Sequence, residues 1–238
     1  MVFSDSVNNT GIVEQTRAML RVDATQYPTY KIVNSANNYL DTITGYAVGA
    51  DRNFQWDDTN HTKLPIGTTD LTATQSDYSF LTDEQGNSIL NLTRIDILDP
   101  DGSYRELELI DQKNIKGALD AYKSVNGLPT QYDKIADNIV RLYSTPATTV
   151  ADGLKFYFQR SASYFAATDT TKEPGIAEVF HRYLSLGAAF DYTLKNTVSN
   201  RNDIKEELDK LDEEISEFYR ARAKEFSPKI SMKRVNAK

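Results

Sequence analysis

The chain has few of the residues that usually carry catalysis or bind transition metals. It contains two histidines, His61 and His181, and no cysteine. That composition rules out thiol catalysis, disulfides and cysteine metal sites. The glycine-rich phosphate loops, the G-x-S-x-G nucleophile motif and the H-E-x-x-H zinc motif are also missing. We therefore expect no catalytic residue and no cofactor.

One pattern suited to metal chemistry is the pair Glu178 and His181, an E-x-x-H at helical spacing. Carboxylate-bridged di-iron bundles use two such pairs together with two further glutamates. The chain has no second E-x-x-H, so the pair lacks the partners that this chemistry needs. We expect no metal site and predict that His181 is a partly exposed residue on the surface of its helix.

The clusters of carboxylates in this sequence are typical of turns and solvent-exposed helix faces and do not indicate a metal or catalytic site. Residues 57–60 (DDTN) and 99–102 (DPDG) have ligand types that calcium accepts, but neither continues into a twelve-residue loop with a closing glutamate. Asp, Asn, Pro and Gly at these positions instead predict turns. The acidic run from Glu206 to Glu217 is typical of a solvated helix face, and no two carboxylates are marked as an acid/base couple.

The bulk composition is that of a globular protein with an acidic body. The chain has 238 residues, 39% hydrophobic and 26% charged, with a net charge of −7. This length fits one large domain or two small ones. We expect no membrane span and no secretory signal. The last twelve residues carry four bases and no acid, whereas the acidic remainder disfavours tight nucleic-acid binding.

Helical periodicity predicts four helices at the two ends of the chain. A short one begins near Thr10, a longer one spans Thr25 to Ala50, a third lies within Thr168–Lys195, and a fourth runs from Asn200 to Phe226. The second helix has a packing seam at Val33, Ala36, Leu40, Ile43 and Ala47.

The third helix is expected to organise the others. Thr170 or Thr171 would cap it, with Pro174 in its first turn. Its small residues 187–189 would allow another helix to approach closely. Its apolar stripe consists of Ile176, Val179, Phe180, Tyr183, Leu184, Leu186 and Phe190.

Between Leu64 and Phe165 the periodicity changes to that of strands. The stretch TTDLTATQSDYSF is a first candidate strand pair, and alternation on both sides of residues 99–102 predicts a hairpin with a glycine bulge. A short helix is expected at Asn114–Ser124, and three more strands near 129–134, 138–143 and 153–160. Trp56 is interpreted as an aromatic anchor in the preceding loop.

These elements define an α+β fold. We expect a discontinuous helical bundle, formed by N-terminal helices in residues 1–60 and C-terminal helices in residues 166–226. An antiparallel β domain in residues 61–165 is inserted in it, and residues 227–238 form an extended tail.

The fourth helix and the tail are the candidate contact segments. A narrow seam on a long, charged helix fits either a coiled-coil-like arm or an edge of the bundle. The tail is either a disordered solubilising end or a segment that becomes ordered on a partner. The seam consists of Ile204, Leu208, Leu211, Ile215 and Phe218, and the tail candidates are Lys229, Ile230, Met232, Lys233, Arg234 and Val235.

Four stretches of the sequence point to a known family when taken in order. They begin at Gln15, Phe54, Gly127 and Leu154 and read QTRAMLRVDATQYPTYKIVNSANNYLDTI, FQWDDTNHTKLPIGTTDLTATQSDYSF, GLPTQYDKIADNIVRLYSTPA and LKFYFQRSASYFAATDTTKEPGIAEVFHRYLSLGAAFDY. The WDDTN run before Leu-Pro-Ile and the GLP…NIVRLY segment are the most specific. Together they resemble the head–tail adaptor (connector, or head-completion) proteins of tailed bacteriophages.

The resemblance implies a structural virion protein without enzymatic activity. Such a protein is made in the bacterial host cytoplasm and forms a ring, usually of twelve copies, at the head–tail junction. The ring docks on the portal protein, offers its other side to a tail or second connector protein, and lets genomic DNA pass without specific binding. The tail candidates named above would then contact the portal, and the seam of the fourth helix would contact the portal or a neighbouring subunit.

Three other classes of function remain open alternatives. The chain could be another tail-completion or minor head protein, an enzyme of unrecognised type that uses buried carboxylates, or a host regulatory or DNA-binding module. The sparse histidines and absent motifs speak against the enzyme. The acidic body and the absence of a basic helix speak against DNA binding.

Overall fold

The computed structural model describes residues 1–50, 66–83, 86–111, 113 and 125–225, with only the backbone described for residues 222–225. These residues form four α-helices, one short 3₁₀ helix and ten β-strands. The α+β class predicted from the sequence is therefore confirmed. Trp56, His61, the predicted helix at Asn114–Ser124 and the tail 227–238 lie outside the described residues.

The helices lie towards the two ends of the chain and the strands in its middle. The helices are α1 (Ile12–Leu20), α2 (Thr29–Ala50), the 3₁₀ helix Glu178–Phe180, α3 (His181–Lys195) and α4 (Arg201–Glu225). The strands are β1 (Ile66–Leu71), β2 (Asp77–Ser79), β3 (Ile89–Leu98), β4 (Tyr104–Glu106), β5 (Glu108–Leu109), β6 (Asn126–Gly127), β7 (Gln131–Ala136), β8 (Ile139–Tyr143), β9 (Thr145–Pro146) and β10 (Val150–Arg160).

The chain divides into two compact units. A helical unit contains Met1–Phe54, Phe165–Lys172 and Ala177–Lys238, and a β unit contains Gln55–Tyr164 and Glu173–Ile176. Both ends of the chain therefore build one unit, whereas the middle builds most of the other.

In the helical unit, α3 packs against α1, α2 and α4. The predicted seam of α2 is confirmed, since all five of its residues are at most 8% exposed. Polar groups support the same packing: the Thr16 hydroxyl lies 3.2 Å from the Ser185 carbonyl oxygen, and the Tyr27 hydroxyl donates to the Ala188 carbonyl at 2.9 Å. The apolar faces and these bonds position α3 as the central helix.

The prediction for the start of α3 is wrong. The helix begins at His181, and neither Thr170 nor Thr171 caps it. The Thr170 and Lys172 carbonyls instead accept the amides of Ser4 and Phe3. A proline at position 174 also disfavours helical backbone in the residue before it. As a consequence Val179, predicted in the apolar stripe, is 73% exposed.

The small residues 187–189 predicted a close approach of another helix, and α2 makes that approach at Gly187. A Cβ atom added at Gly187 would lie 2.3 Å from the Tyr39 ring. The Tyr39 and Tyr183 rings meet edge to face, with 5.4 Å between their centroids. Glycine is therefore required here for space.

The β unit contains two four-stranded sheets and a short pair. The strand orders are β1-β10-β3-β4 and β2-β8-β7-β5, and β6 pairs with β9. The prediction of a purely antiparallel domain is wrong, since β5–β7 and β6–β9 pair in parallel through long connections. Strands β7, β8 and β10 confirm the three strands predicted near 129–134, 138–143 and 153–160, with shifted ends. A shared cluster of buried residues from both sheets includes Ile95, Leu142, Leu154 and Phe156.

The hairpin predicted at residues 99–102 is confirmed. Strands β3 and β4 pair antiparallel, with Leu98 opposite Tyr104. Gly102 has a φ of +84°, a left-handed conformation that glycine adopts without strain. The Asp99 amide donates to the Ser103 carbonyl at 2.8 Å and closes the turn.

The first candidate strand pair is not a pair. Strand β1 pairs with β10 and β2 pairs with β8, so the two belong to different sheets. Thr74 between them adopts a left-handed φ of 66°. The chain thus leaves one sheet and enters the other within a few residues, and each strand joins a partner distant in sequence.

Candidate assembly surface

The seam predicted for the fourth helix is used within the chain itself. Ile204, Leu208 and Ile215 are at most 7% exposed, and Leu211 and Phe218 are half-buried. Helix α4 packs on α2 and α3. These side chains therefore form the bundle edge, so a contact with the portal or a neighbouring subunit would have to use the other face of α4.

The outward face of α4 is acidic. Residues 201–221 contain eight acidic and four basic side chains. Arg182 of α3 pairs with Glu207 at 2.7 Å, and Lys210 pairs loosely with Glu214 at 3.9 Å. Exposed pairs of this kind contribute little stability, so the face is a solvated acidic surface, as the sequence predicts.

A polar junction inside the bundle was not foreseen. The Asp212 carboxylate accepts the Tyr46 hydroxyl at 2.7 Å and the Tyr183 hydroxyl at 2.6 Å. Burial and the bond to Asp212 raise the pKa of Tyr46 to about 12, and the same two causes raise the pKa of Tyr183 further. The junction links α2, α3 and α4 through one carboxylate. Its sequence signal is Tyr183, a tyrosine within the apolar stripe predicted for the third helix.

The prediction that His181 lies on the helix surface is wrong. Its side chain is buried, with 4% of the residue exposed, and its Nδ1 atom lies 2.9 Å from the Met1 amino nitrogen. Glu178 is exposed, so the two residues of the E-x-x-H do not converge. The pair spans the boundary between the 3₁₀ helix Glu178–Phe180 and α3, so it does not lie within one α-helix as predicted.

No metal-binding group is found in the part of the chain that the structure describes. Within those residues, no three His, Cys, Asp or Glu side chains are placed to hold an ion. Among the helices described, none combines the length and apolar character needed to cross a membrane. The tail residues Lys229, Ile230, Met232, Lys233, Arg234 and Val235 lie outside the described residues.

Charged side chains of both signs lie on one face of the first sheet. The Lys155 ammonium lies 5.1 Å from the centre of the Tyr104 ring, a cation–π distance. Arg94 contacts Asp96 at 2.6 Å and Glu106 at 3.3 Å. Carboxylates therefore accompany both cations on this face, which does not favour phosphate binding.

The β unit also carries a groove of about 290 Å³, lined by Leu90–Leu92 and Lys134–Asn138. The Lys134 ammonium donates to the Leu92 carbonyl at 2.7 Å and lies 3.3 Å from the Asn91 side-chain oxygen. Burial around this ammonium lowers the pKa of Lys134 although the residue as a whole is exposed. The groove combines aliphatic side chains with opposite charges.

Neither the family models nor the curated proteins give a relative to guide the assignment. No protein-family model matches the chain, and no curated protein matches it. The functional argument therefore depends on the residues, the geometry above and the sequence resemblance.

Proposed function

We propose that this chain is a head–tail adaptor of a tailed bacteriophage, a structural virion protein without enzymatic activity. It is a discontinuous helical bundle of residues 1–60 and 166–226, with a β domain of residues 61–165 inserted and residues 227–238 as an extended tail. Twelve copies form a ring on the portal protein and connect it to a tail or second connector protein. Genomic DNA passes through the ring at the head–tail junction without specific binding.

One observation carries the proposal: both ends of the chain build one compact unit and the middle builds most of another. The four stretches that resemble adaptors run through both units, so the resemblance is not confined to one local motif. Cyclic rings need complementary side surfaces rather than a pocket. The acidic surface of α4 is also compatible with a channel that repels DNA phosphates.

Electron microscopy of the purified chain mixed with portal protein tests the proposal. We expect a ring of twelve copies stacked on the narrow end of the portal. A matched mixture with an unrelated acidic protein of similar size controls for nonspecific association. A chain that remains unbound at micromolar concentrations of both proteins would remove the adaptor function and favour another tail-completion or minor head role.

A further inference from the structure

Two β-bulges present aliphatic side chains to the same groove of the β unit. In β3, Ile89 and Asn91 are paired with consecutive residues of β10, which leaves Leu90 as the extra residue. In β7, Lys134 and Ala136 are paired with consecutive residues of β8, which leaves Ile135 as the extra residue. Leu90 is 50% exposed and Ile135 is 38% exposed. Bulges often redirect side chains at functional sites.

Two charged residues line the groove together with these aliphatic side chains. The Lys134 ammonium donates to the Leu92 carbonyl, and Asp137 lies in the turn between β7 and β8. The groove thus offers a cation, an aliphatic pair and an anion. A partner that matches it needs an anion, an aliphatic side chain and a cation close together.

The helical unit carries such a set at the start of α3. Val179 is 73% exposed, and Glu178 and Arg182 beside it are exposed too. Glu178 and Val179 belong to the 3₁₀ helix and Arg182 to the first turn of α3, so the three exposed residues lie within five positions of the chain. Arg182 already contacts Glu207, but a guanidinium has five donors and can bind a second carboxylate.

We propose that the groove of one copy receives Val179 of a second copy, with Glu178 against Lys134 and Arg182 against Asp137. This inference deepens the ring in the proposed function and names its subunit contact. The two surfaces are different parts of the chain, so the contact is heterologous. A heterologous contact is the kind that propagates from copy to copy and can close into a ring.

Because the chain contains no cysteine, engineered disulfides give a direct test. The purified double variant Ile135→Cys, Val179→Cys is oxidised at high concentration and separated on a non-reducing gel. We expect a ladder of dimers, trimers and larger species, since each chain offers one thiol to each neighbour. Each single variant has one thiol and can give only dimers.

The matched control is Ile135→Cys, Leu194→Cys. Leu194 lies on α3 and is 55% exposed, so its thiol is also accessible but lies outside the proposed contact. We expect the disulfide-linked oligomers of this control to form only through random collisions. Their rate of formation should therefore be lower than that of the Ile135→Cys, Val179→Cys variant. A ladder that forms at the same rate in both double variants, or in neither, would overturn the proposal.

Charge reversal tests the ion pairs separately. Adding Lys134→Glu to the cysteine pair should slow ladder formation by about fivefold, the upper range for one exposed ion pair. Adding Glu178→Lys as well should restore the rate, which a merely destabilised fold would not do. If ladder formation remains slow in the variant that carries both Lys134→Glu and Glu178→Lys, the Lys134–Glu178 contact is overturned. Circular dichroism of each variant verifies that it is folded.

The cysteine cross-linking test and the portal experiment can each fail without the other failing. A ladder without portal binding would retain the subunit contact and remove the adaptor function. A portal-bound ring without the ladder would retain the adaptor function and show that its subunits meet elsewhere.

Discussion

Asp212 is a half-buried carboxylate on α4, and both of its oxygens accept tyrosine hydroxyls. Hydrogen bonds to a charged acceptor are stronger than those between neutral groups. These two bonds therefore link α4 to both α2 and α3.

Tyr183→Phe removes one of these bonds without removing the ring. We expect the free energy of unfolding to fall by about 2 kcal/mol, the usual range for a hydrogen bond to a charged group. Urea unfolding measures it. Tyr30→Phe, at a position that is 57% exposed on α2, should change stability by less than about 0.5 kcal/mol. Equal stability of Tyr183→Phe and the parent chain would show that the junction contributes nothing.

The same junction predicts a dependence of stability on alkaline pH. The pKa of Tyr46 is raised from 10.0 to about 12, first by burial and then by the bond to Asp212. A raised folded-state pKa leaves the stabilisation intact below pH 10 and removes it as the pH rises through about 12. Urea midpoints measured across this window should fall less steeply for Tyr46→Phe than for the parent chain. Identical slopes would contradict the assignment.

At the scale of elements, the crossing of α2 and α3 depends on the missing side chain of Gly187. Its neighbour is the Tyr39 ring, which is itself packed against Tyr183. A ring held in this way cannot move aside easily, because protein interiors are close-packed.

Gly187→Ala should therefore destabilise the fold by about 1–3 kcal/mol, since overpacking outweighs the gain in helix propensity. Thermal unfolding measures the effect. Gly45→Ala in α2 is the matched control: a Cβ there meets nothing within 4 Å, so the substitution should stabilise by about 0.5–1 kcal/mol. A stabilised Gly187→Ala variant would contradict the close approach.

At the scale of the whole molecule, the charges of the body and the tail are opposite. The chain as a whole has a net charge of −7, whereas its last twelve residues have four bases and no acid. Opposite charges on two segments favour contact with different partners. The proposed adaptor uses this division: the acidic body forms the ring, and the basic tail reaches the portal.

Deletion of residues 227–238 tests this division. We expect the truncated chain to fold with an unchanged melting temperature and to lose its ability to join portal-bearing capsids, measured by co-sedimentation. A chain with Lys229, Lys233 and Arg234 replaced by Ser is the control that separates charge from length. Unimpaired docking of the truncated chain would show that the tail is not the portal contact.

The sequence alone was sufficient to predict the local elements of secondary structure. The α2 seam, the hairpin at residues 99–102 and the three strands β7, β8 and β10 follow from periodicity and turn chemistry, which act over a few residues. The small-residue stretch at Gly187 also indicated a close helix crossing. These features depend on neighbours in the chain, so a reader of the sequence can predict them.

Only the tertiary structure decided which faces meet. Pairing of β1 with β10 and of β2 with β8, the late start of α3 at His181, and the burial of His181 all depend on partners distant in sequence. The Asp212 junction and the groove formed by Leu90 and Ile135 arise in the same way. Long-range packing selects among locally similar conformations, because the free energy of burial belongs to the whole core and not to one segment.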